Sequence, residues 1–263
     1  SLHNEDEIKR KDIRIGDTVC VQRAGDVIPN VLSVDIKKRA KNSKQFVFPK
    51  KCPSCGSMVK KEYNDITKKF DAVARCTSEG FECEKITIEK IKHFISKDAL
   101  NIDGLGKKVI EKFWELNLVR LPHDIFNLDY KKIEDLDGFG SQSVNNLKLA
   151  INKSRDITLE KFIFSIGIRH IGQENAKILA NYFLNIKNFS KIFDKKNRDL
   201  VIKSLIDLDG VGETQINSIQ NFFRNQSNMK AVSELIRVLR ITDFKSIKNG
   251  KFVGKTFMLT GGL

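Results

Sequence analysis

No apolar run in the 263 residues approaches the ~20 needed to cross a bilayer. The opening Ser1-Leu2-His3-Asn4-Glu5-Asp6-Glu7 also lacks the character of a signal peptide. Together these absences point to a soluble, cytoplasmic chain with no membrane partner. Cysteine is scarce as well: there are five, an odd number with four in one tight window, which argues against a disulfide framework and for a metal site in a reducing compartment. A Walker P-loop is excluded, because Lys255-Thr256 lacks the upstream glycine at the required spacing. Acidic side chains are in deficit, 33 against 47 basic, giving a net charge of +14 and favouring a polyanionic partner. That balance is shared by ribosomal, membrane-surface and nucleic-acid proteins. With 40% hydrophobic and 30% charged residues the chain can fold, and its length suggests more than one domain.

What is present is a repeated pattern, hydrophobic-x-Gly-hydrophobic-Gly followed by a helical run. It reads Ile102-Asp103-Gly104-Leu105-Gly106, Leu136-Asp137-Gly138-Phe139-Gly140, Arg169-His170-Ile171-Gly172 and Leu208-Asp209-Gly210-Val211-Gly212. The first-glycine positions, Gly104, Gly138, His170 and Gly210, are 34, 32 and 40 residues apart. Glycine accepts positive φ and close backbone approach, so each unit is a tight turn whose middle side chain anchors inward while amides face out. A helix N-terminus with free N–H groups attracts phosphate, and the nest of amides in the turn adds to this. These units look like helix-hairpin-helix motifs, and paired repeats are expected to share a core. The phenylalanines along the helices, Phe113, Phe126, Phe162 and Phe183 among them, read as core packing rather than base-stacking platforms.

At the third unit His170 stands where a glycine is expected, so that turn is altered, or Arg169 and His170 contact phosphate themselves. Lys107 and Lys108, Ser141 and Gln142, and Thr214 and Gln215 open the helices after the other turns, as caps or as phosphate contacts.

Upstream, residues 13–34 alternate with period two between Gly-Asp turns and read as a short β meander, with Cys20 expected as a small buried hydrophobe. A basic run over 36–51, with no acidic residue, reads as a solvated linker that could also meet phosphate. Cys52, Cys55, Cys76 and Cys83 follow in a C-x2-C-x20-C-x6-C pattern. A Cys-x-x-Cys-Gly knuckle and a returning hairpin suit closed, all-thiolate zinc coordination, hence a structural metal. The longer last gap makes Cys83 the least regular ligand, and His93 is a possible substitute better explained as a helix residue. The C-terminal stretch from 248 has strand character and a glycine-rich finish.

The order of these parts closely resembles the C-terminal portion of the bacterial NAD-dependent DNA ligases, across essentially the whole chain. The specific matches are Leu2-His3-Asn4 running into residues 12–17, Gln22-Arg23-Ala24-Gly25-Asp26-Val27-Ile28-Pro29, Cys52-Pro53-x-Cys55-Gly56, Ser165-Ile166-Gly167-Ile168-Arg169-His170-Ile171-Gly172, and residues 254–261. The resemblance implies a multidomain, mostly α chain: the C-terminal part of an OB-fold at 1–40 and a basic linker at 41–51. A four-cysteine zinc finger at 52–84, a helix-hairpin-helix DNA-binding domain at 85–243 and the start of a β-α BRCT domain at 244–263 would follow. In that family the third unit carries the same Arg-His departure, whereas the Cys55 to Cys76 gap looks enlarged near 66–70.

It further implies nick sealing in double-stranded DNA during replication and repair, with NAD and Mg2+ used by an upstream nucleotidyltransferase domain of the same chain. No Lys-x-Asp-Gly motif occurs in these residues, so the segment is expected to be inactive alone and to clamp DNA without sequence preference. Gly104, Gly106, Lys107, Lys108, Gly138, Gly140, Arg169, His170, Gly172, Gly210 and Gly212 are the expected DNA-contacting set, with no catalytic or cofactor-binding residue. The alternatives are a non-enzymatic repair scaffold or excision-nuclease subunit, which would lack the Gly-Asp-Val-Ile-Pro segment, and an RNA-binding zinc-ribbon module.

Overall fold

The computed structural model describes residues 2–24, 28–64 and 68–245. Gly25 to Val27 of the Gly-Asp-Val-Ile-Pro segment, the hairpin tip at 65–67 and nearly all of the expected BRCT start at 244–263 lie outside them. The chain divides into two compact units after Glu79.

The first unit opens with α1 (Glu5–Arg10), whose first amides are capped by the Asn4 side chain. Strand β1 (Val19–Ala24) pairs antiparallel with β2 (Ile28–Val34), with a register shift between Cys20 and Val21. Among the described residues this ribbon has only two strands, so parts of it remain open to solvent: Val21 and Leu32 are exposed, and so is Cys20. The expectation of a buried Cys20 is therefore corrected. Strand alternation predicts that one face is covered only if a second layer supplies the cover.

Nor is the basic run uniformly solvated. Arg39 donates to Asp17 Oδ1 and Oδ2 at 2.9 and 2.8 Å and to Asp12 Oδ2 at 2.6 Å. Arg14 joins through Asp12 at 3.1 and 3.2 Å. These pairs tie residue 39 to the segment before β1.

Four short strands follow: β3 (Val59–Lys60), β4 (Tyr63–Asn64), β5 (Lys69–Phe70) and β6 (Arg75–Cys76). β3 pairs with β6 and β4 with β5, so the enlarged hairpin is a two-step ladder that returns Cys76 toward the knuckle.

The second unit is helical: α2 (Glu84–Phe94), α3 (Lys107–Glu115), α4 (Tyr130–Glu134) and α5 (Ser141–Ser154), then α6 (Leu159–Ser165) and α7 (Gln173–Phe183), then α8 (Ile186–Phe189), α9 (Lys195–Leu205), α10 (Glu213–Arg224) and α11 (Gln226–Val238). Their apolar stripes merge into one continuous core from Ile88 to Leu239, as paired repeats require. Phe113, Phe162, Phe189 and Phe223 are fully buried in it, and Trp114, Phe164, Phe193 and Phe222 pack at its margin. The middle of the repeat array, between the second and third hairpins, is joined to the segment after the last hairpin by β7 (Asp156–Thr158) and β8 (Arg240–Thr242), three-residue strands in parallel register. Arg240 closes that junction with a two-pronged contact to Asp156 at 2.6 and 2.8 Å. Strands this short carry no readable period in the sequence.

His93 turns inward on α2. Its Nε2 lies 2.9 Å from the Phe164 carbonyl and its ring stands edge-on to Phe164, so it is a packing residue outside the cysteine cluster.

Candidate nucleic-acid interface and metal centre

Each of the four hairpins makes the same turn. The residue at the first-glycine position lies in the left-handed region: Gly104 at φ +79°, Gly138 at +87°, His170 at +62° and Gly210 at +84°. In each turn the middle residue donates its N–H three residues back, Leu105 to Ile102, Phe139 to Leu136, Ile171 to Ile168 and Val211 to Leu208, at 2.9–3.2 Å. Leu105, Ile171 and Val211 are buried and Phe139 packs against the core. The third turn is thus not altered. Histidine occupies a conformation that glycine takes without strain, at a cost of roughly 1–2 kcal/mol for an L-residue.

The turns pack in two pairs, and the second, third and fourth meet the sixth residue of the partner's helix, Lys112, Ser218 and Ile178. Lys112 Nζ donates to the Asp137 carbonyl at 2.8 Å, joining the first helix to the second turn. His170 Nδ1 meets Ser218 Oγ at 3.0 Å, and Asn175 donates to the Gly210 carbonyl at 2.8 Å, joining the third and fourth. At Gly210 a Cβ would stand 2.7 Å from Ile178 Cδ1, so the fourth turn is pressed onto α7.

The second glycines behave differently. Gly106, Gly140, Gly172 and Gly212 are the N-caps of α3, α5, α7 and α10, and all four have extended backbone that any residue adopts. A Cβ at Gly106, Gly140 or Gly172 would meet nothing within 4 Å, and at Gly212 only the tip of Gln215. Neither backbone strain nor packing within the chain requires glycine there. What glycine leaves is an uncapped helix start: α1, α4, α8, α9 and α11 are capped by Asn or Asp side chains, whereas the four hairpin helices receive no side-chain cap from their glycines.

Ser143 and Gln215 partly answer the question of caps. They accept the N–H of Gly140 at 3.0 Å and of Gly212 at 3.2 Å, while the first-turn amides that follow receive no side-chain cap. Ser141, Gln142 and Thr214 make no such contact, Gln142 donating instead to Asn146.

Charge divides the four sites. Lys107 and Lys108 are exposed in the first turn of α3, where the helix dipole disfavours cations, and α3 and α5 have no acidic residue in that turn. Glu174 and Glu213 occupy the first turns of α7 and α10. The first hairpin is therefore the one whose helix start carries two exposed lysines and no acidic residue.

The four cysteine sulfurs lie within 4.8 Å of one another. Gly56 at φ +74° closes the knuckle, with its N–H on the Cys52 carbonyl at 2.9 Å, and β3–β6 pairing sets Cys76 opposite Val59. Cys83 is buried at the N-cap of α2. Cys55 Sγ and Cys76 Sγ are 3.5 Å apart. The Ser78 N–H pulls the Cys76 thiol down, but burial and the crowding Cys55 and Cys52 sulfurs outweigh it and leave it pushed up to about 12. Such crowding opposes several thiolates by themselves and is relieved by a cation among them.

Comparison with known proteins covers the third and fourth hairpins by a family model. Residues 1–43 match the family model of the NAD-dependent DNA ligase OB-fold domain, and residues 161–232 match that of the helix-hairpin-helix motif. The chain is 61% identical over 264 residues to a DNA ligase of Pelagibacter ubique (strain HTCC1062), covering all of this chain and 38% of that protein. It is 42% identical over 268 residues to a DNA ligase of Wolbachia pipientis wMel and 40% over 273 residues to one of Parvibaculum lavamentivorans, covering 39% and 38% of them.

Proposed function

We propose, from the premise that this chain belongs to the NAD-dependent DNA ligase family and corresponds to a C-terminal portion of such an enzyme, that its task is to clamp nicked double-stranded DNA. The observation that carries this reading is the set of four helix starts at Gly106, Gly140, Gly172 and Gly212, without a side-chain cap from the glycine and, at the first three, with open space over it. An orphan helix start that the fold does not require to be bare is suited to a backbone phosphate. Paired hairpins present these starts two by two, and phosphate contacts carry no sequence information, which suits an enzyme that must act at any nick. Lys107 and Lys108 add charge at the first hairpin, and Arg169 and His170 take that part at the third.

The chemistry lies in the rest of the enzyme. In the family reading an upstream nucleotidyltransferase domain takes AMP from NAD, with Mg2+, and passes it to the 5′-phosphate before the 3′-hydroxyl attacks. The present residues have no Lys-x-Asp-Gly and form no enzyme–AMP adduct in this reading. Zinc fits the four-cysteine cluster: a tetrahedron with Zn–S of about 2.3 Å needs sulfurs about 3.8 Å apart, a small adjustment of a cluster whose Cys55 and Cys76 sulfurs stand 3.5 Å apart and whose four sulfurs lie within 4.8 Å. Cys52, Cys55, Cys76 and Cys83 leave no open coordination position, so the metal supplies structure.

The chain is expected to bind nicked duplex DNA with an affinity that falls steeply with salt, to carry one zinc by elemental analysis, and to stay unlabelled by adenylate from NAD. Tighter binding to structured RNA than to nicked duplex would contradict the reading.

A further inference from the structure

The backbone that leads into Cys83 is held from three sides. Gly80 sits at φ +57°, and a Cβ there would collide with the Ser227 hydroxyl and the Asn225 side chain. The Phe81 carbonyl accepts a hydrogen bond from Thr87 Oγ1 at 3.0 Å, and Thr87 is itself buried. The Gly80 carbonyl accepts from Lys90 Nζ at 2.6 Å.

Lys90 is an unusual residue for this place. Its ammonium lies over the Phe81 ring, 4.6 Å from the centroid, with Asn228 Oδ1 at 3.5 Å. No carboxylate pairs with it among the described residues, and burial pushes the amine down to about 8. An ammonium placed this way opposes folding unless its contacts are needed, because an apolar side chain of the same length would fill the space. What the lysine does that methionine could not is bind the Gly80 carbonyl. Thr87 and Lys90 stand on successive turns of α2 and reach back to consecutive carbonyls, two and three residues before the cysteine that begins that helix.

We propose that Lys90 and Thr87 are positioning residues for the metal centre: they fix residues 80 and 81 so that the Cys83 sulfur is set in place before the cation arrives. The proposal rests on the zinc reading given above. Outer contacts of this kind commonly change metal affinity by about 10- to 100-fold.

The test uses the whole chain, with Lys90→Met and Thr87→Val compared with wild type. Zinc affinity is read by competition with a chromophoric chelator, and metal-free stability by denaturant unfolding of the helical signal. The expected result is a 10- to 100-fold loss of zinc affinity in each variant, with metal-free stability unchanged, or raised for Lys90→Met as the buried charge is removed. Wild-type zinc affinity in both variants would overturn the proposal. So would a loss of affinity accompanied by an equal loss of metal-free stability, since the two side chains would then only support the fold. A wild-type chain that takes up no zinc would overturn the metal reading itself.

Discussion

His170 Nδ1 lies 3.0 Å from Ser218 Oγ, across the junction of the third and fourth hairpins. The Ser218 hydroxyl gives its one proton to the Thr214 carbonyl at 2.8 Å, so its oxygen accepts and the histidine Nδ1 donates. Nε2 is then the ring nitrogen that would donate to an outside phosphate. His170→Gly removes that donor and also relieves the positive φ. Stability is expected to stay level or rise, by less than about 1 kcal/mol, in denaturant unfolding. Affinity for nicked duplex is expected to fall about tenfold, the loss of one charge-assisted hydrogen bond. Unchanged affinity would return His170 to a purely structural role.

The first glycines and the partner helices can be separated by alanine. Gly138 and Gly210 share nearly the same φ, but a Cβ meets nothing at Gly138 and meets Ile178 at Gly210. Gly138→Ala should cost about 1–2 kcal/mol, the left-handed penalty. Gly210→Ala should cost up to about 1–3 kcal/mol more, because the Ile178 side chain must give way. Equal losses in chemical denaturation would mean that the fourth turn is not pressed onto its partner.

Acid should loosen the first unit. Hydrogen bonds from Arg14 and Arg39 hold the Asp12 carboxyl down at about 2, and Arg39 holds Asp17 below the ordinary carboxylate range. A depressed carboxyl adds stability above its unfolded value, near 3.9, and loses it as the pH falls through the folded one. The contribution is therefore complete above about pH 4 and fades toward pH 2. Arg39→Gln should lower stability at pH 6 and flatten this acid limb, read by hydrogen exchange over residues 12–39. An acid limb as steep as wild type would remove Arg39 from the account.

The hairpin repeats and the four cysteines were legible because their residues are close in sequence and their chemistry is restrictive. Glycine spacing marked the turns, and the knuckle marked the metal centre. The pairing of turns was not legible, since it depends on Lys112 with Asp137 and His170 with Ser218, contacts between separate repeats. Histidine at a left-handed position looked like a broken motif, although its backbone matches the glycines. Cys20 was misjudged because alternation does not say which face is covered. Arg39 looked like linker because its carboxylate partners lie more than twenty residues earlier. Lys90 gave no signal at all, as one lysine among many on a helix.

The central claim is that the second glycines are bare for an outside phosphate rather than for the fold, and Gly106→Ser with Gly140→Ser tests it most directly. Both positions have ordinary φ and open space, and serine is a better N-cap than glycine, so the double variant should be as stable as wild type or slightly more so. Binding to nicked duplex is measured by fluorescence anisotropy across a salt series. The account predicts an affinity lower by an order of magnitude or more and a shallower dependence on log salt, as phosphate contacts are lost. A stable double variant that binds as tightly as wild type, with the same salt slope, would contradict it.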